Sequence, residues 1–123
     1  MSSRSELRSR VAAAGNPKPV EFDIVGLGKV FVKVNTLATA SAARMALEKH
    51  RSEDDGRNTE RALSLILVDE DGNLLYDIAN DMDLAELAAL HPETASDIFA
   101  KAKAANRLTP EDVEGKGQTP SAS

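Results

Sequence analysis

The stretch VEFDIVGLGKVFVKV, residues 20–34, decides the fold class. On either side of its central GLG, apolar and charged residues alternate, which is the period of a β-strand with one buried face. Gly26 and Gly28 are residues that accept a positive φ in a tight turn. The stretch therefore predicts a β-hairpin. Its apolar face consists of Val20, Phe22, Ile24, Val30, Val32 and Val34.

The residues before the hairpin predict a short basic helix. The sequence SELRSRVAAAG, residues 5–15, starts with Ser5 as the candidate N-cap and ends with Gly15, at a position typical of a glycine that follows a helix. The sequence NPKP, residues 16–19, then breaks the helix, because proline lacks a backbone N–H and restricts the residue before it. The apolar stripe of this helix is Leu7, Val11 and Ala14.

The composition predicts a single small domain. A chain of 123 residues has the length of one domain, and 41% of its residues are hydrophobic while only 3% are aromatic. A core of Leu, Val, Ile and Ala buries less area per residue than one with large rings, so we expect modest stability, helped by self-association. We expect a basic arm and linker at 1–19, helical or flexible, one domain at 20–114, and a disordered tail at 115–123.

The charge distribution argues against nucleic-acid binding. Residues 1–19 contain four basic residues and one acidic residue, so the net charge of −5 for the whole chain leaves −8 on the other 104 residues. A body this acidic repels phosphate backbones, and no aromatic residues stand among the basic ones to stack on bases.

The longest apolar run, 65–68, is too short to span a membrane, and 1–15 lacks the apolar core of a signal peptide. We therefore expect a cytoplasmic protein with no nucleic-acid and no membrane partner.

The hydrophobic period changes after the hairpin. Residues 36–50, TLATASAARMALEKH, are rich in alanine and predict a weakly amphipathic helix, which is followed by a charged loop. Residues 59–68, TERALSLILV, fit two structures: a helix, or one strand of a hairpin that turns through DEDGN and returns along LLYD. We favour the helix because Glu60 and Arg61 suit a first turn, and the hairpin stays open as the alternative.

The acidic sequence DEDGN, residues 69–73, predicts a turn rather than a calcium loop. An EF-hand loop that starts at Asp69 requires glycine at its sixth position and glutamate at its twelfth, and this chain has Leu74 and Asn80 there. An Asp-Gly turn needs no ion, because the aspartate caps its own backbone. The chain has no cysteine for thiolate metal sites, and its GLG lacks the third glycine of a dinucleotide loop. We therefore expect no metal and no cofactor.

Residues 81–115 predict three consecutive helices. The first has Asp81 or Asp83 as its N-cap, and the second has Pro92 at its first helical position. A third would begin at Thr109 and end at Gly115. The apolar stripes of the first two helices are Leu84, Leu87 and Ala88, and Ala95, Ile98, Phe99, Ala102 and Ala105.

The carboxylates of this helical block predict no catalytic site. A catalytic carboxylate pair needs burial to keep one member protonated, whereas these residues lie at helix starts or on solvent faces, where the helix dipole favours their charge. They are Asp81, Asp83, Glu86, Glu93, Asp97, Glu111 and Asp112. His50 and His91 lie at helix ends, where capping is the common role. We therefore predict that the protein is not an enzyme and has no catalytic residues.

The order of these segments resembles the small tail assembly chaperones of long-tailed bacteriophages and prophages. Such chaperones have a strand pair, a helix, an apolar run that ends in a D-E-D-G-type turn followed by LF or LY, and a final helix of the type FxxAxxLNxL. The matching segments here are VEFDIVGLGKVFVKVNTLATASAARM, RALSLILVDEDGNLLYD and LAELAALHPETASDIFAKAKAANRLTPEDVE, which cover roughly residues 20–114. The single residues that match are Leu75, Tyr76, Phe99, Ala102, Asn106 and Leu108.

The resemblance implies a non-enzymatic role in the cytoplasm of the bacterial host. Such a chaperone binds the tape-measure protein, keeps it soluble, hands it to the polymerising tail-tube protein, and is absent from the mature virion. We expect the exposed part of one stripe to contact the partner, and the alternative is that the whole stripe is core. The stripe is Leu84, Leu87, Ile98 and Phe99. The alternative functions are a structural tail, tail-terminator or head-tail connector protein retained in the virion, and a bacterial regulator unconnected with phage.

Overall fold

The computed structural model describes residues 3–15 and 17–107, and our predictions for the third helix and the tail lie outside these residues. The described part confirms the predicted α+β class, with an N-terminal β-hairpin followed by a mostly helical body in a single small domain. In chain order the elements are α1 Arg4–Ala14, β1 Val20–Ile24, β2 Gly28–Val32, α2 Leu37–His50, a 3₁₀ turn Arg51–Glu53, α3 Asn58–Ser64, β3 Leu67–Val68, α4 Asp81–Ala88 and α5 Pro92–Ala105.

β1 and β2 form the predicted hairpin. They pair antiparallel along their whole lengths, from Val20 opposite Val32 to Ile24 opposite Gly28. Both turn glycines have the expected left-handed backbone, with φ of 76° for Gly26 and 91° for Gly28. The alternation places Ile24 and Val32 in the core. The strand-period pattern therefore identified both strands and their buried residues. The predicted face differs elsewhere, because Val20 is exposed and Val34 lies beyond the end of β2.

Residues 58–75 contain both structures that the sequence allowed. The helical interpretation holds for the first half, because α3 continues to Ser64. β3 then pairs antiparallel with β2, with Leu67 opposite Val32. After the turn, Leu74 bridges back to Val68, which is a short form of the alternative hairpin. The helix ends here because β2 offers backbone partners to the apolar residues that follow it.

The DEDGN turn is closed by its own aspartate, as predicted. Oδ1 of Asp69 accepts hydrogen bonds from the backbone N–H of Asp71 at 2.9 Å and of Asn73 at 3.0 Å. Gly72 takes a positive φ of 90°. The N–H of Asn73 is the largest cause that lowers the pKa of Asp69, because it stabilises the ionised carboxylate. Backbone N–H groups of the turn thus stabilise the negative charge of Asp69.

The predicted N-caps of α1 and α4 are wrong by one to three residues. Ser3 rather than Ser5 caps α1, because Ser3 and Glu6 form a capping box: Ser3 Oγ accepts the Glu6 N–H at 3.2 Å, and Glu6 Oε1 accepts the Ser3 N–H at 2.8 Å. Asn80, rather than Asp81 or Asp83, caps α4: its Oδ1 accepts the N–H of Asp83 at 3.0 Å. Both helices therefore begin where a side chain reaches a free backbone N–H.

α5 begins as predicted and packs against the sheet. Pro92 occupies its first position, and Nδ1 of His91 caps the helix by accepting the N–H of Glu93 at 3.0 Å. Its inward face lies on β1 and β2. The buried residues of α5, spaced four apart, are Thr94, Ile98 and Ala102.

Hydrogen bonds connect both ends of α5 to the hairpin and the segment after it. Near its start, Oγ1 of Thr94 donates to the carbonyl of Val25 at 2.7 Å. At its end, the side chain of Asn106 donates to the carbonyl of Lys33 at 3.0 Å and accepts the N–H of Asn35 at 2.7 Å. α5 contributes Ile98 to the buried core cluster. The cluster consists of Ile24, Leu63, Leu67, Leu87 and Ile98.

Candidate protein-binding surface

α2 begins as its sequence predicts but packs differently from α5. It has a capping box in which Thr36 Oγ1 accepts the Thr39 N–H at 3.1 Å and Thr39 Oγ1 accepts the Thr36 N–H at 2.8 Å. All fourteen of its residues are at least partly exposed to solvent. The partly buried positions in its middle carry short side chains such as those of Ala43 and Ala46. These side chains leave space between the helix and its neighbours.

The space between α2 and α3 is an open cleft of about 540 Å³, which we call the α3-side cleft. Its apolar lining comes from α2 and from Ala62 of α3. The α2 residues of this apolar lining are Ala40, Ala43 and Leu47. Its polar lining includes Arg44 and Asn58. A concave, mainly apolar surface with a few polar groups is typical of a binding site.

A second cleft, of about 270 Å³, lies on the other side of α2, and we call it the Leu74-side cleft. Ala42 and Ala46 of α2 line it together with Leu65 and Leu74. Ala43 lines both clefts, because it lies on the part of α2 between them. The helix is therefore flanked by apolar clefts on two sides.

Large apolar side chains are exposed on and beside α2. Leu37 is 92% exposed, Met45 is 70% exposed, and Leu74 is 46% exposed. Leu74 lines the Leu74-side cleft, whereas Leu37 and Met45 lie on α2 outside both cleft linings. Exposed apolar side chains that gather on one part of a surface are typical of interaction sites. We call α2, its two clefts and Leu74 the α2 surface.

The α2 surface is locally basic, although the whole chain has a net charge of −5. Arg44, Lys49 and Arg51 stand against Glu48 along the last turns of α2 and the residue after it. Arg51 Nη1 lies 3.2 Å from Glu48 Oε2, and both side chains are exposed, so the pair adds little to stability. Arg44 Nη2 lies 3.5 Å from Ser41 Oγ, at the limit of a hydrogen bond. Arg44 therefore presents its charge at the α3-side cleft.

An ion-pair network around the buried side chain of Arg61 connects the end of α2 to α3. The Arg61 side chain is 2% exposed, and its Nη2 lies 2.7 Å from Glu53 Oε1 and 2.5 Å from Asp55 Oδ2. Glu53 is also 2.8 Å from Nδ1 of His50, the last residue of α2. The hydrogen bond from Arg61 lowers the pKa of Asp55, and the same bond raises the pKa of Arg61. Nε of Arg61 has no hydrogen-bond partner among the described residues. The network fixes one end of the α3-side cleft.

The structure places the four predicted contact residues in the core or against it. Leu84, Leu87 and Ile98 are 1%, 3% and 0% exposed. Phe99 is partly buried and packs against the core cluster. The first three side chains are therefore not available to a partner in this structure, because α4 and α5 turn them inward. The alternative considered from the sequence, a stripe that packs inward, describes these three residues.

The acidic side chains of the helical block act locally as hydrogen-bond acceptors. Oδ2 of Asp83 accepts the N–H of Asp77 at 2.8 Å, and Oδ2 of Asp97 accepts the N–H of Val25 at 3.1 Å. In residues 3–15 and 17–107, His, Asp and Glu side chains form no group of three or more that would hold a metal ion. Across the same residues, no helix combines the length and the apolar character needed to cross a membrane.

Comparison of the chain with protein-family models, with curated proteins and with solved structures finds no match. The candidate site is therefore defined by the exposure, contacts and charge of its own residues. These features favour a surface that binds another protein.

Sequence reasoning missed the α2 surface. The signal that could have found it is the alanine content of the helix, because alanine forms helices well but fills little volume when it faces a neighbour. Ala40, Ala43 and Ala46 follow one another three positions apart, and together they line both clefts. Such a row predicts a helix that forms reliably and packs incompletely.

Proposed function

We propose that this protein is a phage tail assembly chaperone, which binds the tape-measure protein through the α2 surface and keeps it soluble without performing chemistry. One observation carries the proposal: α2 is a capped helix of fourteen residues, all at least partly exposed, beside two clefts with apolar linings. The resemblance of residues 20–114 to such chaperones supports the choice of client.

The chaperone would act by covering apolar segments of the client that otherwise associate with one another. Leu47, Leu65 and Leu74 offer apolar contact area in the two clefts, and the alanines of α2 allow a close approach of the client. The net charge of −5 makes complexes repel one another, which favours solubility. Binding and solubility would thus depend on different parts of the molecule.

The proposed cycle takes place in the cytoplasm of the bacterial host and ends before the virion is complete. The chaperone holds the tape-measure protein until the tail-tube protein polymerises along it, and is then released. A shallow surface suits this step, because small interfaces are typically weak and transient.

Co-expression with the tape-measure protein encoded nearest to this chain's gene tests the proposal. We expect soluble client only when this chain is present, and co-purification of the two. Met45→Asp on α2 should reduce the co-purified client at least fivefold, a loss of about 1 kcal/mol, whereas Met82→Asp on α4 should have little effect. The two methionines are a matched pair, because they are 70% and 82% exposed and neither contributes to the core. Unchanged client solubility without co-purification would contradict the proposal.

Mass spectrometry of purified virions separates the chaperone from the structural alternative. A chaperone is absent from the particle, so we expect no peptides of this chain above the level of host contaminants. Stoichiometric presence would contradict the proposal and would indicate a structural tail or connector protein.

A further inference from the structure

We propose that the α3-side cleft binds a client helix whose apolar stripe is flanked by carboxylate side chains. The inference rests on the proposed function and adds the chemistry of the segment that the client presents. It is carried by the length of the cleft, by the size of the side chains that line it, and by the charge at its edge.

The length of the cleft fits a helix. Its lining residues Ala40, Ala43 and Leu47 of α2, and Arg51 of the following 3₁₀ turn, are three or four positions apart. They therefore form a row about 16 Å long, or about three helical turns. A row with this spacing is the groove into which the side chains of a second helix pack.

The side chains that line the cleft are small. Ala40 and Ala43 face Ala62 of α3 across it, and Leu47 supplies a larger apolar contact. Small residues let two helices approach closely, and the existing space of about 540 Å³ then takes the larger side chains of the partner. The cleft is therefore complementary to a stripe of large apolar residues.

The charge at the cleft selects the flanks of that stripe. Arg44, Glu48 and Arg51 all line the cleft, and Glu48 and Arg51 are paired with each other at 3.2 Å, so the net charge of the lining, +1, comes from Arg44. A client carboxylate beside Arg44 would gain a charge-assisted hydrogen bond, because Arg44 reaches Ser41 only at 3.5 Å. A basic flank would be repelled by the same side chain. The cleft therefore favours an acidic edge on the client.

The same charge argues against helix α1 of a second copy as the occupant. α1 does present an apolar stripe, with Leu7 49% and Val11 73% exposed. Docked in the cleft, its basic side chains would meet Arg44 and Arg51. The charged residues of α1 are Arg4, Arg8 and Arg10 against Glu6.

Two matched pairs of variants test the proposal, with the tape-measure protein as the probe. Arg44→Glu reverses the charge at the α3-side cleft, and Lys103→Glu makes the same change on an exposed residue of α5, outside the α2 surface. Ala40→Leu fills the α3-side cleft, and Ala104→Leu adds the same side chain at an exposed position of α5, outside the α2 surface. We expect Arg44→Glu and Ala40→Leu to weaken client binding about tenfold, and the two controls to change it by less than about twofold.

The outcomes separate the inference from the proposed function. If the wild type binds the client and all four variants bind it equally well, the cleft inference is wrong and the proposed function stands. Equal weakening by both members of a pair also overturns the inference. If the wild type does not bind the client, the proposed function is wrong, and the inference with it.

If Arg44→Glu strengthens self-association of this protein, the cleft instead binds the basic α1 of a second copy. Thermal melting checks folding, and the Arg44→Glu result decides alone if Ala40→Leu is unstable.

Discussion

α2 and α5 are both fourteen residues long and both have side-chain caps at their N-termini, yet only one belongs to the core. α5 buries Ile98 between Thr94 and Ala102, whereas every residue of α2 is at least partly exposed. The difference lies in the inward side chains, because α2 presents alanines such as Ala43 where α5 presents isoleucine. Capping and propensity decide that a helix forms, and the size of its inward side chains decides how much of it packs.

The two helices are also connected differently to the rest of the protein. Thr94 and Asn106 hydrogen-bond backbone carbonyls near both ends of α5. At the C-terminal end of α2, His50 contacts Glu53, which in turn pairs with Arg61. Connection at that end leaves the middle of α2 accessible. The contrast separates a helix that holds the fold from one that is open to a partner.

Shortening one inward apolar side chain on each helix should give the largest effect. We expect Ile98→Ala to lower the free energy of unfolding by about 2–5 kcal/mol, because the side chain is fully buried and its loss leaves a cavity. We expect Leu47→Ala to lower it by about 1 kcal/mol, because Leu47 is already partly exposed. Urea unfolding followed by circular dichroism measures both values. Equal losses would mean that α2 is packed as tightly as α5.

The junction between the hairpin and α5 should show a smaller effect. A Cβ at Gly26 would lie 2.9 Å from Thr94 Oγ1, and the φ of Gly26 is positive. Gly28 is the matched control, because its φ is also positive and a Cβ there would meet no described atom within 4 Å. We expect losses of about 2 kcal/mol for Gly26→Ala and about 1 kcal/mol for Gly28→Ala. A larger loss for Gly28→Ala in the same urea experiment would contradict the role of the Thr94 contact.

Replacing Asp97 should have the smallest effect on stability, and the pH dependence of the melting temperature distinguishes it from other effects. The Val25 N–H lowers the pKa of Asp97, and Lys101 adds to the shift. Because the folded pKa is below the unfolded value of about 4, the stabilisation is present above that value and is lost as the pH falls through the folded pKa. We expect the melting temperature to fall less steeply below about pH 4 in Asp97→Asn than in the wild type. If the melting temperatures of the variant and the wild type fall equally steeply with pH over this range, Asp97 makes no such contribution.

The parts of the fold that were predictable contain large apolar residues with a clear period. The hairpin alternates at period two, and α5 carries Ile98 and Ala102 at helical spacing. Residues 58–75 were ambiguous because their own pattern fits both helix and strand. Leu67 and Val68 form a strand because they pair with the edge of β2, which is distant in sequence. Local sequence does not contain that information.

The candidate site was less predictable than the fold, for a related reason. A stripe rule selects residues such as Leu84 and Leu87, and the same rule describes residues that pack inward. The α2 surface is formed instead by side chains that are too short to close a gap, such as Ala40 and Ala43. Whether a gap remains depends on the distance to α3, which only the folded chain defines.

Amide hydrogen exchange of this protein, alone and with the tape-measure protein, tests most directly the claim that α2 is the binding helix. In the free protein, we predict that amides of residues 37–50 exchange faster than those of 92–105, because α2 has fewer buried contacts. With the client bound, we predict that exchange in α2 slows at least about tenfold while exchange in α5 changes little. Protection confined to α4 or α5, with α2 unchanged, would contradict the account.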